Sequence, residues 1–236
     1  MKRIILTTAD AAYVDVLRTF LFSLRYHGNN EHVRCDCLGY SDAQKKSVLA
    51  CGENIEIVDL PAVQDDDKKL LHLMWTRPIQ MTKALEEGWE QICSMDCDII
   101  IRGKLDGIWD DVAPGVLKIM DKSRYRKTSN KTKFQGGVYF FGNSPEIREF
   151  YAEIVSKIGP CFGFYDGQRA LLDVYRQYIN KIKLLHLDVI YNDERNTGWA
   201  EKSKVWHAKH GRIRNMPFAA EASKYLKMCN ERYLNG

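Results

Sequence analysis

The chain has 236 residues, enough for one large domain with a sizeable core. A hydrophobic fraction of 45% and a charged fraction of 28% are ordinary for a globular protein, and a net charge of +4 is too mild to mark a nucleic-acid-binding chain by itself. The seven cysteines form no Cys-x-x-Cys pair, which argues against structural zinc; no run of eighteen apolar residues exists, and Met1–Leu6 enters a strand directly rather than a signal peptide, so a reducing, cytoplasmic setting is expected.

Arg3–Thr8 reads as a short buried strand ended by Ala9-Asp10, and Asp10 is a good N-cap for the following helix. In that helix Val14, Leu17, Leu21 and Leu24 recur at the spacing of a core face, and Gly28 supplies the C-cap. Val33–Gly39 alternates as a second strand. Ser41–Ala50 is a short helix capped by Ser41 or Asp42, and Ile55–Leu60 is a third strand stopped by Pro61. Gln64–Lys69 is charged and reads as a loop. Arg77–Gly88 reads as a helix with Pro78 near its first turn, where a missing N–H costs little. Leu105 and Ile108-Trp109 pack a short turn or helix, Gly115–Met120 is another strand, and Asp121–Lys133 is polar and basic.

Phe134–Gly142 is β-rich with two glycines near its head, the sign of a bulge or of close approach between backbone and ligand. Helices are expected at Ser144–Ile158 and Gln168–Tyr178, a strand at Lys183–Asp188, and loops at Pro160–Gly163 and Tyr191–Ala200. Val205–His207 is short and apolar, and Ala219–Tyr233 is a closing helix. Strands alternating with helices at this pitch predict an α/β fold with a mostly parallel central sheet flanked by helices. With no repeat or linker in the sequence, 1–236 is expected to be a single domain.

The chemistry concentrates in Gln91–Arg102. One apolar run leads into Asp96 and Asp98, and a second leaves them. Residues two apart in an extended chain point the same way, so both carboxylates can converge on one object. Two like charges set among Ile and Met are costly unless a cation compensates. A hard divalent ion takes carboxylate oxygens and shares them with phosphate, which makes a metal-diphosphate site at a sheet mouth the sharp reading; a solvated turn with two surface acids is the plain one. Cys97 faces away from such a metal by alternation, and Cys35 and Cys37 share one strand face as small buried apolar residues.

From Asp96 to Asp110 the sequence resembles the Asp-x-Asp strand of the GT-A glycosyltransferases. Its Leu105-x-x-Ile-Trp-Asp110 spacing is similar to the family 8-like branch, the galactosyltransferase and glycogenin type. Leu6-Thr-Thr-Ala-Asp-Ala-Ala-Tyr13 resembles that branch's nucleotide-binding first turn, and Phe134-Gln-Gly-Gly-Val-Tyr-Phe-Phe141 its acceptor-side strand. The ordered set spans roughly residues 3 to 215. The resemblance implies a GT-A (Rossmann-like) sheet with a small acceptor-side extension, a nucleotide-sugar-binding half at about 1–112 and an acceptor-side half at about 113–236.

It further implies roles for individual residues. Thr7, Thr8, Asp10 and Tyr13 would meet the base and ribose, with Asp96 and Cys97 also at the nucleotide. Arg77 would open a helix and fork onto the diphosphate or a sugar hydroxyl. His207 matches the family's late His, a third metal ligand beside Asp96 and Asp98, and a His with two carboxylates suits Mn²⁺ better than Mg²⁺. The pattern departs here: one extra residue precedes Gly211 and the usual Pro and Trp are missing, so His210 is an alternative ligand. Lys209, Arg212 and Arg214 would give positive charge to the leaving phosphate. Asp166 and Gln168 would line the sugar's reacting carbon, though Gly167 intervenes where the family has adjacent residues, and Asp166 serves equally as an N-cap. Gly136 and Gly137 would let backbone approach sugar or acceptor.

The implied activity is metal-dependent transfer of a hexose from a nucleotide-diphosphate sugar, by default a UDP-sugar, to an acceptor hydroxyl. The branch retains configuration; inversion would need a carboxylate base, for which Asp166 and Asp188 are the candidates. Lys122–Lys133 carries six basic residues and no acid, so the acceptor is a glycan, a lipid or, in a phage-type enzyme, a modified base of DNA. A non-catalytic nucleotide-sugar-binding relative is the competing reading. A nucleotidyltransferase would want a Gly-rich basic signature that Leu6–Asp10 lacks.

Overall fold

A computed structural model describes residues 1–63, 66–124, 133–157, 166–193, 203–208 and 216–235. In chain order the elements are β1 (Arg3–Asp10), α1 (Val14–Tyr26), β2 (His32–Leu38), α2 (Asp42–Leu49), β3 (Ile55–Leu60), α3 (Asp66–Glu86), β4 (Gln91–Met95) and β5 (Ile99–Ile101). There follow α4 (Asp106–Trp109), β6 (Val116–Asp121), β7 (Phe134–Gly142), α5 (Pro145–Lys157), α6 (Asp166–Tyr178), β8 (Lys183–His186), β9 (Val205–His207) and α7 (Met216–Asn235). Seven strands form one sheet in the order β3-β2-β1-β4-β7-β6-β8, while β5 and β9 form a separate two-stranded ladder. β1 runs parallel to β4, β2 to β3 and β6 to β8, whereas β6 meets β7 antiparallel.

The chain divides into two compact units that interleave in sequence. One comprises Met1–Leu6, Val63–Ser94 and Ile108–Leu187; the other comprises Thr7–Ala62, Met95–Gly107 and Asp188–Gly236.

In the first unit, sheet residues Ile4, Leu6, Ile92, Leu117, Ile119, Phe134 and Phe141 are buried with Met81, Leu85, Ile147, Phe150, Tyr151, Leu171 and Val174 of the helices. Each such side chain contributes on the order of 1.5–3 kcal/mol of burial free energy. Helix α3 departs from expectation. It begins at Asp66 rather than Arg77, so Pro78 lies inside it and Arg77 is a mid-helix residue rather than a helix opener. The physical reason is an apolar stripe that already runs through Leu73 to Met81, Ala84 and Leu85, whose burial outweighs the lost hydrogen bond at Pro78. The Gly136-Gly137 irregularity is present as expected. β7 spans Phe134 to Tyr139 against only Asp121 to Ile119 on β6, with a register shift between.

The second unit is built on α1. Asn29 N–H reaches Leu24 O at 3.2 Å and Gly28 N–H reaches Arg25 O at 3.0 Å, a Schellman closure that needs the positive φ of 74° at Gly28. Buried Asn29 then donates to Gly103 O at 3.1 Å and accepts from Leu105 N–H at 2.8 Å, pinning the segment after β5 to the end of α1. Ser23 Oγ accepts from Ile101 N–H at 3.0 Å, a second tie between the same elements. Ser41 and Gln44 form a capping box at α2, so Ser41 rather than Asp42 is the cap. Element boundaries also move in both units. β1 continues to Asp10 and a 3-10 turn, Ala11–Tyr13, precedes α1. β8 ends at His186, and Asp188 caps a 3-10 turn, Val189–Tyr191, instead of ending a strand.

Candidate metal centre

β4 ends at Met95 and β5 begins at Ile99, so Asp96-Cys97-Asp98 is the connection between two fully buried strands. β5 pairs antiparallel with β9, with Ile99 opposite His207, and Ala208 N–H donates to Asp98 O at 2.8 Å. That register brings the late His to the acidic pair. His207 Nε2 lies 3.0 Å from Asp96 Oδ2 and 3.1 Å from Asp98 Oδ1. One ligand atom from each of the three residues falls within 4.8 Å of the others, a spacing that fits a single cation.

His207 is 3% exposed, while the side chains of Asp96 and Asp98 are 28% and 16% exposed, so the cluster is anchored from inside and reachable from outside. Burial alone lowers an imidazole's pKa. Here the charge of Asp98 and the hydrogen bonds to Asp96 and Asp98 outweigh burial and raise His207 to about 10. Two carboxylates against one imidazolium still leave net negative charge, the condition under which a divalent ion replaces the proton. The donor set, one imidazole nitrogen and two carboxylates, therefore fits the implied metal. On the far side of the ring, Nδ1 lies 3.0 Å from Oδ1 of the buried Asn192. Arg102, just beyond β5, forks onto Glu221 of α7 and stacks 3.9 Å over the Trp206 ring, clamping β9.

The other expected residues fall in two places. In the second unit Thr7 is 1% exposed, and its Oγ1 has no hydrogen-bond partner among the described residues. Thr8 and Asp10 are half-buried and Tyr13 is exposed. Asp10 Oδ1 accepts from Ala12 N–H at 2.9 Å, so it is a cap. Asp188 is exposed and its carboxylate accepts from Ile190 N–H at 3.0 Å. In the first unit, Gln168 lies against Gly136: a Cβ built there would stand 3.2 Å from Gln168 Nε2. Gln168 Oε1 is buried with no partner among the described residues. Gly137 is buried beside this pair, and Asp166 is the first residue of α6. Lys209, His210, Arg212, Arg214 and positions 125–132 of the basic segment lie outside the described residues. At the ends of that segment Lys122 is buried and Lys133 Nζ lies 3.8 Å from Asp121.

Sequence reasoning missed Asn192, Arg102 and Glu221. Nothing local marks them, because their partners are 15 and 119 residues away.

The architecture is the GT-A fold. The galactosyltransferase LgtC, solved with donor and acceptor sugar analogs, matches with a TM-score of 0.60 at 14% identity over 97% of this chain and 95% of its own. An active-site mutant of LgtC matches at 0.59 and 17% identity, over 94% of this chain and 95% of its own. The glycosyltransferase GlyE of Streptococcus pneumoniae TIGR4 matches at 0.63 and 14% identity, over 98% of this chain but 64% of its own. Neither a protein-family model nor a curated protein matches the sequence.

Proposed function

We propose that this chain is a metal-dependent glycosyltransferase that moves a hexose from a UDP-sugar to an acceptor hydroxyl with retention, residues 1–236 acting as one domain. The observation that carries the reading is the Asp96–Asp98–His207 cluster, joined by the β5–β9 ladder at the end of an Asp-x-Asp turn. Asp96, Asp98 and His207 would hold Mn²⁺ in preference to Mg²⁺, because one donor is nitrogen. Such an ion, when bound, supplies Lewis-acid stabilisation of the charge on a departing diphosphate. LgtC and GlyE are both glycosyltransferases, which supports the same class of reaction on this fold.

The chain's own residues would do the rest. Thr7 offers an unsatisfied buried hydroxyl for the nucleoside, with Thr8 and Asp10 on the same strand. Gln168, packed against Gly136 where a Cβ would stand 3.2 Å from its Nε2, offers an unsatisfied carbonyl to which a sugar hydroxyl can donate. Arg77, Lys209 and Arg212 would carry positive charge for the phosphates. In transfer the acceptor oxygen bonds to the anomeric carbon as that carbon's bond to the diphosphate oxygen breaks; the electron pair leaves with the diphosphate, which takes up the acceptor's proton. The acceptor is a glycan, a lipid or DNA.

The test is a thermal-shift panel of nucleotide sugars with and without Mn²⁺, followed by assay of released nucleotide diphosphate. A ligand that binds the folded state raises the melting temperature. UDP-sugars are expected to do so only with Mn²⁺ present. A panel in which no nucleotide sugar stabilises the protein, with or without the ion, would remove the reading. Binding without release of diphosphate would point instead to a non-catalytic relative.

A further inference from the structure

We propose that Asn192 is a positioning residue for the metal centre: its carboxamide oxygen accepts from His207 Nδ1–H and so turns Nε2 to Asp96 and Asp98 as the nitrogen that a metal would take. This rests on the metal reading above and adds a residue outside the ligand set.

The geometry is local, and Asn192 Nδ2 has no partner among the described residues. Asn192 is 0% exposed, and its Oδ1 stands 3.0 Å from His207 Nδ1. A neutral imidazole has one N–H and one lone pair, and an oxygen acceptor at one nitrogen assigns the proton there. The lone pair then belongs to Nε2, the atom 3.0 and 3.1 Å from the two carboxylates. Ring orientation and ligand basicity at metal sites are set by such partners.

Asn192 does not reach in from a free loop. Its own N–H donates to Val189 O at 3.1 Å, Asp193 N–H donates to Val205 O at 3.0 Å, and His207 N–H returns to Asp193 O at 3.0 Å. Lys204 N–H donates to Ile190 O at 2.8 Å, so the turn is zipped along β9 from Lys204 to His207. The choice of amide over carboxylate also has a physical reason. Two carboxylates already balance a divalent ion; a neutral acceptor orients the ring without adding a third negative charge that would oppose a bound diphosphate.

The test measures Mn²⁺ binding alone, by calorimetry or by the loss of the free-ion resonance signal, on the full chain. Asn192→Leu is expected to weaken Mn²⁺ binding by about 10–100-fold, the usual cost of losing such a partner. Asn192→Asp keeps an acceptor and is expected to stay within a few-fold of wild type. Equal affinity in wild type and a folded Asn192→Leu overturns the proposal and leaves the metal reading standing. So does equal loss in both variants, which would assign the effect to packing. Wild type without Mn²⁺ affinity removes both. Should Asn192→Leu fail to fold, long-range proton–nitrogen NMR of the wild-type Zn²⁺ complex decides: a proton on Nδ1 is expected, and a proton on Nε2 refutes it.

Discussion

Two polar clusters among the described residues of the second unit differ in how their charge is balanced. In one, Asp96 and Asp98 face His207 with the carboxylates 28% and 16% exposed. In the other, Arg18 Nη2 reaches Asn230 Oδ1 at 2.5 Å and Cys229 Sγ at 3.8 Å, and Cys229 Sγ lies 3.5 Å from Cys51 Sγ. The hydrogen bond from Cys51 and the nearby Arg18 pull the Cys229 thiol down, while the shared bond and burial push Cys51 up. Here the cation is part of the protein, so the negative character is answered from within by Arg18, which also pairs with the exposed Asp15 at 3.1 Å. Around His207 the acids outnumber the internal cation, and the excess faces outward. A cluster that balances its own charge needs nothing further; surplus negative charge at an accessible edge is what a candidate cation site presents.

The comparison can be broken by substitution. Asp98→Asn is the largest expected effect: metal-dependent transfer falls by roughly a thousandfold or more, the scale of several kcal/mol of lost charge stabilisation, while the fold survives. Undiminished turnover that is also insensitive to chelator would end the metal reading. Arg18→Met tests the other cluster. It should cost about 2–3 kcal/mol of stability through lost charged hydrogen bonds, read by denaturant unfolding, and leave Mn²⁺ affinity unchanged. A loss of Mn²⁺ affinity in that variant would show that the two clusters are not independent.

A titration sharpens the contrast further. His207 is raised from its ordinary 6.5 to about 10, so its protonated form contributes stability that is fully present below about pH 6.5. That contribution is lost as pH climbs toward 10. The melting temperature of the metal-free protein should therefore fall across this window, while Mn²⁺ affinity rises as proton competition fades. A flat metal affinity between pH 6.5 and 9 would contradict His207 as a ligand. The smallest effect is Cys229→Ser, about 1 kcal/mol or less in stability with no change in metal binding, since the hydroxyl can keep the Arg18 contact.

Much of this was legible in the chain. β3 and β7 are bounded as the alternation and punctuation predict, because Pro61 and Gly142 act within one or two residues of themselves. The glycine pair announced its bulge for the same local reason. The start of α3 was hidden because a charged segment hid an apolar stripe with helical period. Asp188 was misplaced because strand and capped turn share the sequence Leu187-Asp188 until the next residues choose between them.

By itself the sequence determined the alternating α/β elements and the acidic pair between two buried runs, since these rest on nearest-neighbour chemistry; its three ordered motifs resemble those of GT-A enzymes. Tertiary structure decided what joins the pair. The antiparallel β5–β9 register chose His207 as the third corner, and the zipped turn at 189–193 set Asn192 behind it. Those choices depend on contacts between residues far apart in the chain, which are fixed only when backbone hydrogen bonds are satisfied across the whole fold.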